Sequence, residues 1–292
     1  MSHSQRLFAI SDIHIDYQEN LNALLAISDS DYCRDTLVIA GDATDKLELL
    51  REFFTAITAK FAQVIFVPGN HELWLKRSSP PDSLAKFYAV IDLCEETGVL
   101  TGPALVGEQS RIHIIPLFSW YHTNEHPEQS LFMKKSAAED KTFDMWSDFF
   151  VTEWPDQVKA NIADYFLAMN ESVLAQTYTD PIVSVSHFLP RQELMLSTEQ
   201  ERAASDLVYK DTHPEFNFSH VAGSRGIDRQ LRQLGSRCHI YGHQHRNRQR
   251  VIDGVTYISH CMGYPKERNM GLVAQHCVRP LLIWHETQGF VV

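Results

Sequence analysis

Short apolar runs that end abruptly in polar residues or glycine constrain this chain more than any other feature. Residues 7–10, 37–40, 64–67, 112–117, 182–185 and 238–241 are such runs, rich in Val, Ile and Leu. Runs of this length, bounded by polar residues or glycine, are what strands covered on both faces look like. Between them, residues 20–27, 46–61 and 83–97 carry apolar side chains at helical spacing, the last stretch closed by Gly98. Strands alternating with helices predict an α/β chain with largely buried sheets. The final part differs. Residues 246–251, 255–260 and 280–285 read as β segments, with Asp253-Gly254 as a hairpin turn.

The residues just beyond five of these six runs carry the chemistry. Asp12 and His14 come after the first, Gly41-Asp42 after the second, Gly69-Asn70-His71-Glu72 after the third, Ser186-His187 after a later one, and Gly242-His243-Gln244-His245 after the last. Side chains at the carboxyl ends of strands converge on the crevice where open α/β sheets bind ligands. Asp12 and His14 are two apart, as are His243 and His245, and in an extended segment such residues point the same way. Glycines before Asp42, Asn70 and His243 permit tight turns and close approach of backbone. Asp12, His14, Asp42, Asn70, His187, His243 and His245 are too many donors for one tetrahedral zinc, which takes about four. Two cations roughly 3.5–4 Å apart, sharing Asp42, would use the whole set. Mixed imidazole, carboxylate and amide donors suit Mn, Fe or Zn better than Cu(I) or Ca.

The net charge of −11 and a pI near 5.7 argue against a protein that coats long nucleic acid, which needs many Lys and Arg. They leave room for a small phosphate ester in one local site, where bound cations bring their own positive field. At 292 residues one large layered domain spanning 1–292 is the expectation, with residues 119–160 and 189–220 as insertions that could act as lids. The aromatics of 119–160 can equally cover the sheet. Cys33, Cys94, Cys238, Cys261 and Cys277 are scattered and form no C-x-x-C pair, which reads as a reduced set. No signal-peptide pattern or membrane-length apolar stretch is visible, so a cytoplasmic location without membrane contact is expected. Oligomeric state is left open.

The five blocks in order resemble the calcineurin-like metallophosphoesterase superfamily, whose pattern is D-x-H, G-D, G-N-H-[DE], a lone His and G-H-x-H. Any one block is common; the full series, each member after a strand, frames residues 6–245. The resemblance implies a four-layer αββα sandwich of two mixed β-sheets. It implies that one metal takes Asp12, His14, Asp42 and His245, and the other Asp42, Asn70, His187 and His243. It implies metal-dependent hydrolysis of a phosphate mono- or diester, with a hydroxide bridging the two ions as nucleophile. His71, beside Asn70, is the candidate to protonate the leaving oxygen or hold a phosphate oxygen. Asp45, matching the second Asp of the family's G-D-x-x-D stretch, is the candidate to orient His71; it can also be read as a helix N-cap. Lys46-Leu47 stands where the protein Ser/Thr phosphatases have Arg-Gly, which speaks against that activity. The tyrosine ligand of purple acid phosphatases is missing too. Gly263-Tyr264-Pro265-Lys266-Glu267-Arg268 resembles a Gly-Tyr-Pro-x-Glu-Arg ending of a less characterised branch.

Several nearby residues have an ordinary reading beside the functional one. Asp16 and Asn20 read as helix caps rather than substrate contacts. Glu72 reads as a carboxylate behind the ligands or an exposed charge. Arg246, Arg248 and Arg250 share one strand face, either as a solvated edge or as a phosphate-gripping rim, and Arg225 and Arg268 carry the same choice. Cys261 reads as a small buried hydrophobe near the site. The competing functions are a nuclease of the same superfamily, which would need a basic strip, and a non-catalytic binding module on this fold, like the superfamily's retromer subunit. The intact ligand series argues against the module.

Overall fold

The computed structural model describes residues 4–76, 80–135, 139–203 and 213–292. Its strands are β1 (Arg6–Ile10), β2 (Thr36–Ile39), β3 (Gln63–Phe66), β4 (Ala104–Val106), β5 (Ile112–Pro116), β6 (Ile182–Val185), β7 (Cys238–Tyr241), β8 (Arg248–Ile252), β9 (Val255–Ser259), β10 (Leu281–His285) and β11 (Gly289–Phe290). They form a five-stranded sheet in the order β11-β10-β1-β2-β3 and a six-stranded sheet in the order β4-β5-β6-β7-β9-β8. Both sheets are mixed. β1, β2 and β3 run parallel and β10 runs antiparallel to β1. β5, β6, β7 and β9 run parallel, with β4 and β8 antiparallel at the two edges.

The period of two along each strand sorts its side chains into two cores. Leu7, Ala9, Val38 and Ile65 meet Ile114, Val183, Val185 and Ile240 between the sheets. The alternate residues Phe8, Ile10, Leu37, Ile39, Val64 and Phe66 pack under helices α1 (Gln18–Leu25), α2 (Leu47–Thr58) and α3 (Ser83–Thr97). On the far side, Ile115, Leu117, Tyr241 and Tyr257 pack with Phe166, Ile227 and Leu231 from the helices Ile162–Met169 and Arg225–Gln233. The result is the expected helix–sheet–sheet–helix stack. Strands buried on both faces are mostly apolar, which is why these runs lack a regular polar alternation.

The hairpin is as read: β8 and β9 pair antiparallel around Asp253 (φ 48°) and Gly254 (φ 80°), the left-handed pair a two-residue I′ turn requires. Two strands escaped the sequence reading, the three-residue β4 and the two-residue β11. The stretch 119–160 contributes short helices at Thr142–Met145, Asp148–Val151 and Asp156–Lys159, and part of 189–220 lies outside the described residues. No described helix is long and apolar enough to cross a membrane. No disulfide joins the described cysteines, of which only Cys33 is exposed.

Candidate metal centre

The loops after the parallel strands are joined to one another by backbone, so their side chains are held in common. Asp12 N–H donates to Gly41 O (2.9 Å), His14 N–H to Asp42 O (3.0 Å) and Ile15 N–H to Ala43 O (2.9 Å), which carries the β1–β2 pairing on beyond the strands. In the second sheet Gly242 N–H donates to His187 O (2.9 Å). The backbone here is not extended, as the two-residue spacing had suggested. Asp12, His14, Asp42, His243 and His245 have φ of 50°, 38°, 56°, 74° and 52°. Left-handed conformations in residues with a Cβ are uncommon and cost of order 1–3 kcal/mol each. Their clustering on candidate ligands, with the hairpin's Asp253 the one other described non-glycine case, means the turns aim these side chains. The pleat does not.

Two sets of donors result. In Asp12, His14, Asp42 and His245, one donor atom from each lies within 4.8 Å of all the others, and the same holds for Asp42, His187 and His243. Asp42 belongs to both. His14 Nε2 and His245 Nε2 are 3.0 Å apart, and His245 Nε2 is 3.4 Å from Asp12 Oδ1. In the second set His187 Nε2 is 3.4 Å from Asp42 Oδ1. Asn70 Oδ1 joins it, 3.2 Å from His187 Nε2 and 3.1 Å from His243 Nδ1.

Each of three rings is anchored by its other nitrogen, which fixes the nitrogen that faces the centre. His187 Nδ1 meets Ala40 O (2.9 Å), His243 Nε2 meets Val221 O (2.9 Å) and His245 Nδ1 meets Glu267 Oε2 (2.7 Å). Glu267 belongs to the Gly-Tyr-Pro-x-Glu-Arg stretch and also accepts from Tyr264 N–H (2.8 Å). Behind the ligands Glu72 is fully buried. Its Oε1 accepts from the N–H of Ala43 (2.5 Å) and Thr44 (3.1 Å), and its Oε2 from Asp42 (3.0 Å) and Gly69 (2.6 Å). It therefore ties two ligand loops together. Gly41 and Gly69 are glycines for lack of space: a Cβ would lie 2.4 Å from His187 Nδ1 at the first and 2.2 Å from Asp42 Oδ1 at the second.

The charges ask for cations. Burial disfavours a charged ring at both His187 and His245, yet Asp42 pushes His187 up to about 9, and Asp12 with Glu267 pushes His245 up to about 10. Positive charge is thus stabilised at one ring of each set, where a cation would stand in for the proton. At His243 burial and the neighbouring His187 charge outweigh Asp42 and Asp12 and push the ring down to about 3, and His14 also falls well below its ordinary value. Burial and the Asp42 charge push Glu72 up to about 7 against the pull of the Gly69 and Ala43 N–H groups. Imidazole, carboxylate and amide oxygen around two adjoining points fit a pair of first-row cations.

His71 stands at the rim. Its Nε2 is 3.7 Å from Asp42 Oδ2, its ring stacks on Trp74 at 3.6 Å, and its N–H donates to Asp42 Oδ1 (3.0 Å). Burial lowers its pKa, with Asp42 and Asp148 acting in the opposite sense. Asp45 is buried, and its backbone carbonyl accepts from Lys86 Nζ (2.7 Å). It is not the N-cap of α2, which is Lys46. Nor do Asp16 and Asn20 cap α1, whose N-cap is Tyr17. Asp16 pairs with Lys46 (3.1 Å), and Asn20 donates to Ile13 O and Gly263 O. Arg268 turns inward, to Met262 O, Gly263 O, Glu19 and Asn20. Arg248 and Arg250 hold the segment from Leu194 to Glu201, and Arg225 Nε donates to Ser130 O. These arginines brace loops. Cys261 is buried with Val273 and Cys277.

One residue near the site was missed by sequence reasoning. Asp148, in the 119–160 stretch, is buried and accepts from Asn70 Nδ2 (2.9 Å), Trp74 Nε1 (2.7 Å) and Trp146 Nε1 (2.8 Å). Burial raises its pKa against these donors. No spacing signal marks it, since its partners lie up to 78 residues away.

The sequence pattern of the calcineurin-like phosphoesterase family matches residues 5–247, so the chain belongs to that family and is a metal-dependent phosphoester hydrolase. The chain is 27% identical over 271 residues to the [acyl-carrier-protein] phosphodiesterase PptH of Mycobacterium tuberculosis, covering 89% of this chain and 78% of that one. The crystal structure of phosphopantetheinyl hydrolase (PptH) from Mycobacterium tuberculosis superposes with a TM-score of 0.71 at 24% identity, over 96% of this chain and 97% of that one, a likeness of fold. A putative 5′-nucleotidase from Staphylococcus aureus is more distant, with a TM-score of 0.38, 15% identity and coverage of 88% and 48%.

Proposed function

We propose that this chain is a dinuclear phosphodiesterase and that its substrate is the phosphodiester linking phosphopantetheine to an acyl carrier protein. The observation that carries the dinuclear part is the pair of donor sets sharing Asp42. In this reading Asp12, His14, Asp42 and His245 hold one ion, and Asp42, Asn70, His187 and His243 hold the other, each Mn, Fe or Zn. Two such ions supply a water acidified toward neutral pH and a counter-charge for the phosphoryl oxygens. The substrate class is supported by the named activity of the 27%-identical relative, whose match runs along most of both chains. The small free ester expected from composition thereby widens to one attached to a protein.

The protein's own residues take the remaining tasks. His71, at the rim beside Asp42, faces the ester; a bound phosphate raises its pKa, so the ring gains a proton as substrate docks and passes it to the leaving oxygen. Asp45 is the carboxylate proposed to keep that ring oriented. In the same reading 1–292 is a single domain, with 119–160 and 189–220 as insertions proposed to act as lids. A nuclease would use the arginine run for a phosphate strip, but Arg248 and Arg250 are engaged within the chain.

The test is metal-reconstituted protein presented with an aryl phosphodiester, an aryl phosphomonoester and a phosphopantetheinylated carrier protein. The expected result is diester turnover abolished by chelator, and loss of one phosphopantetheine from the carrier by mass spectrometry. His71→Ala should cut diester turnover by about 10²–10⁴-fold with ion content unchanged. No turnover of any ester with Mn, Fe or Zn would overturn the reading, and an undiminished His71→Ala would remove the proton-transfer role.

A further inference from the structure

We propose that Asp148 is a positioning residue that decides which end of the Asn70 amide faces the second cation site, so that the 119–160 segment controls occupancy of that site. This rests on the reading above that Asn70 is a ligand.

A carboxamide has two ends of nearly equal shape and opposite chemistry. Its oxygen accepts and can ligate a cation; its NH₂ only donates. Nothing intrinsic to Asn70 chooses between them. Asp148 does, because an ionised carboxylate is acceptor-only and Asn70 Nδ2 lies 2.9 Å from its Oδ1. That bond turns Asn70 Oδ1 toward His187 Nε2 and His243 Nδ1, at 3.2 and 3.1 Å. A flipped amide would press its oxygen on a buried carboxylate with no proton between them, while aiming NH₂ at the cation site.

Asp148 is itself held. Trp74 Nε1 donates to the same Oδ1 (2.7 Å), and Trp146 Nε1 donates to Oδ2 (2.8 Å). Trp74 follows the Asn70 turn, whereas Trp146 belongs to the 119–160 segment and lies edge-on to His243 at 5.6 Å. The carboxylate thus joins the segment to the ligand loop. Among the described residues its hydrogen bonds reach Asn70 and not Asp12, His14 or His245. Its direct hydrogen bonds to a candidate ligand therefore fall on one of the two sites.

The experiment strips the full chain with chelator, titrates it with Zn²⁺ alone, follows tryptophan fluorescence, and counts ions after desalting. Wild type should retain two ions. Asp148→Leu should keep the first with unchanged affinity and bind the second about 10–100-fold more weakly, the usual effect of removing a residue that orients a ligand. Asp148→Asn, which keeps an acceptor oxygen for Asn70 and Trp74, should retain both. Two ions bound to Asp148→Leu as in wild type would overturn the proposal, as would equal weakening of both sites, the mark of a merely structural role. Loss of the second ion from Asp148→Asn would also overturn it; if the leucine form does not fold, Asp148→Ser, too short to reach Asn70 Nδ2, takes its place with the same expected and overturning results. Asn70→Leu separates the two layers. Two ions retained there mean that the ligand assignment has failed. Loss of the second ion there, with Asp148→Leu unaffected, refutes only the role of Asp148.

Discussion

Replacing Gly69 by alanine puts a carbon where the Asp42 carboxylate stands. The new Cβ would lie 2.2 Å from Asp42 Oδ1 and 2.8 Å from two carbons of the His187 ring. Ordinary contact begins at 3.4 Å, so Asp42 or the backbone at residue 69 must shift by about 1 Å. Neither neighbour yields freely. Asp42 Oδ1 accepts the His71 N–H (3.0 Å), and His187 is pinned at Nδ1 by Ala40 O (2.9 Å). Overpacking of this kind costs about 1–3 kcal/mol. The functional effect should be larger, because a metal ligand tolerates displacement of only about 0.5 Å. Asp42 is common to both donor sets, so both ions should be weakened together, by about 100-fold or more in keeping with the upper range for misplaced ligands. Isothermal titration with Mn²⁺ and ion counts after desalting measure this, alongside the unfolding midpoint in chelator. Gly102→Ala is the control: a Cβ there meets nothing within 4 Å, and the substitution should be neutral or stabilising by up to about 1 kcal/mol. Wild-type ion affinity in Gly69→Ala would refute the argument that this glycine makes room for a shared ligand.

The same geometry sets two more expected outcomes. His187 and His245 have folded pKa values of about 9 and 10 in the metal-free chain, above the unfolded value of about 6.5; their contribution to metal-free stability is complete below about pH 6.5 and fades as pH rises through 9 to 10. Cations must expel those protons, so Mn²⁺ affinity should rise over the same window, and titrations at stepped pH giving a flat profile would show that the rings are already neutral. Arg268→Leu should cost about 1–3 kcal/mol in denaturant unfolding, as expected for leaving buried oxygens of Met262, Gly263 and Asn20 without their donor, the Glu19 carboxylate being exposed, while leaving the KM for an aryl diester unchanged; a raised KM with unchanged stability would return Arg268 to phosphate binding.

The strands and most of the candidate site were legible because each is a local demand. A strand covered on both faces is mostly apolar, so 182–185 and 238–241 are visible as runs and coincide with β6 and β7, their buried polar members Ser184 and His239 bonding each other (2.8 Å). A ligand must be one of a few residue types, and the loop after a strand is short, so Asp42 and His187 are found within three residues of the ends of their strands. The glycines were legible too, as the small neighbours of bulky donors.

Features that stayed hidden depend on partners distant in sequence. β8, β9 and β10 look alike as β segments, yet β10 joins β1 in one sheet while the β8–β9 hairpin extends the other. The left-handed turns at Asp12, His14, His243 and His245 suit Asp and His better than most residues, but the bond that joins two of these loops, His243 N–H to Asp12 Oδ1 (2.9 Å), links residues far apart in the sequence. Asp148 among its aromatics and Glu267 behind His245 are ordinary acidic residues until folding brings them beside Asn70 and the His245 ring. Neighbouring residues alone mark the longer strands and the side chains able to bind a cation, since both are matters of local chemistry. Which nitrogen or oxygen of each side chain faces inward is settled only on folding, because that choice is made by a hydrogen-bond partner delivered from elsewhere in the chain.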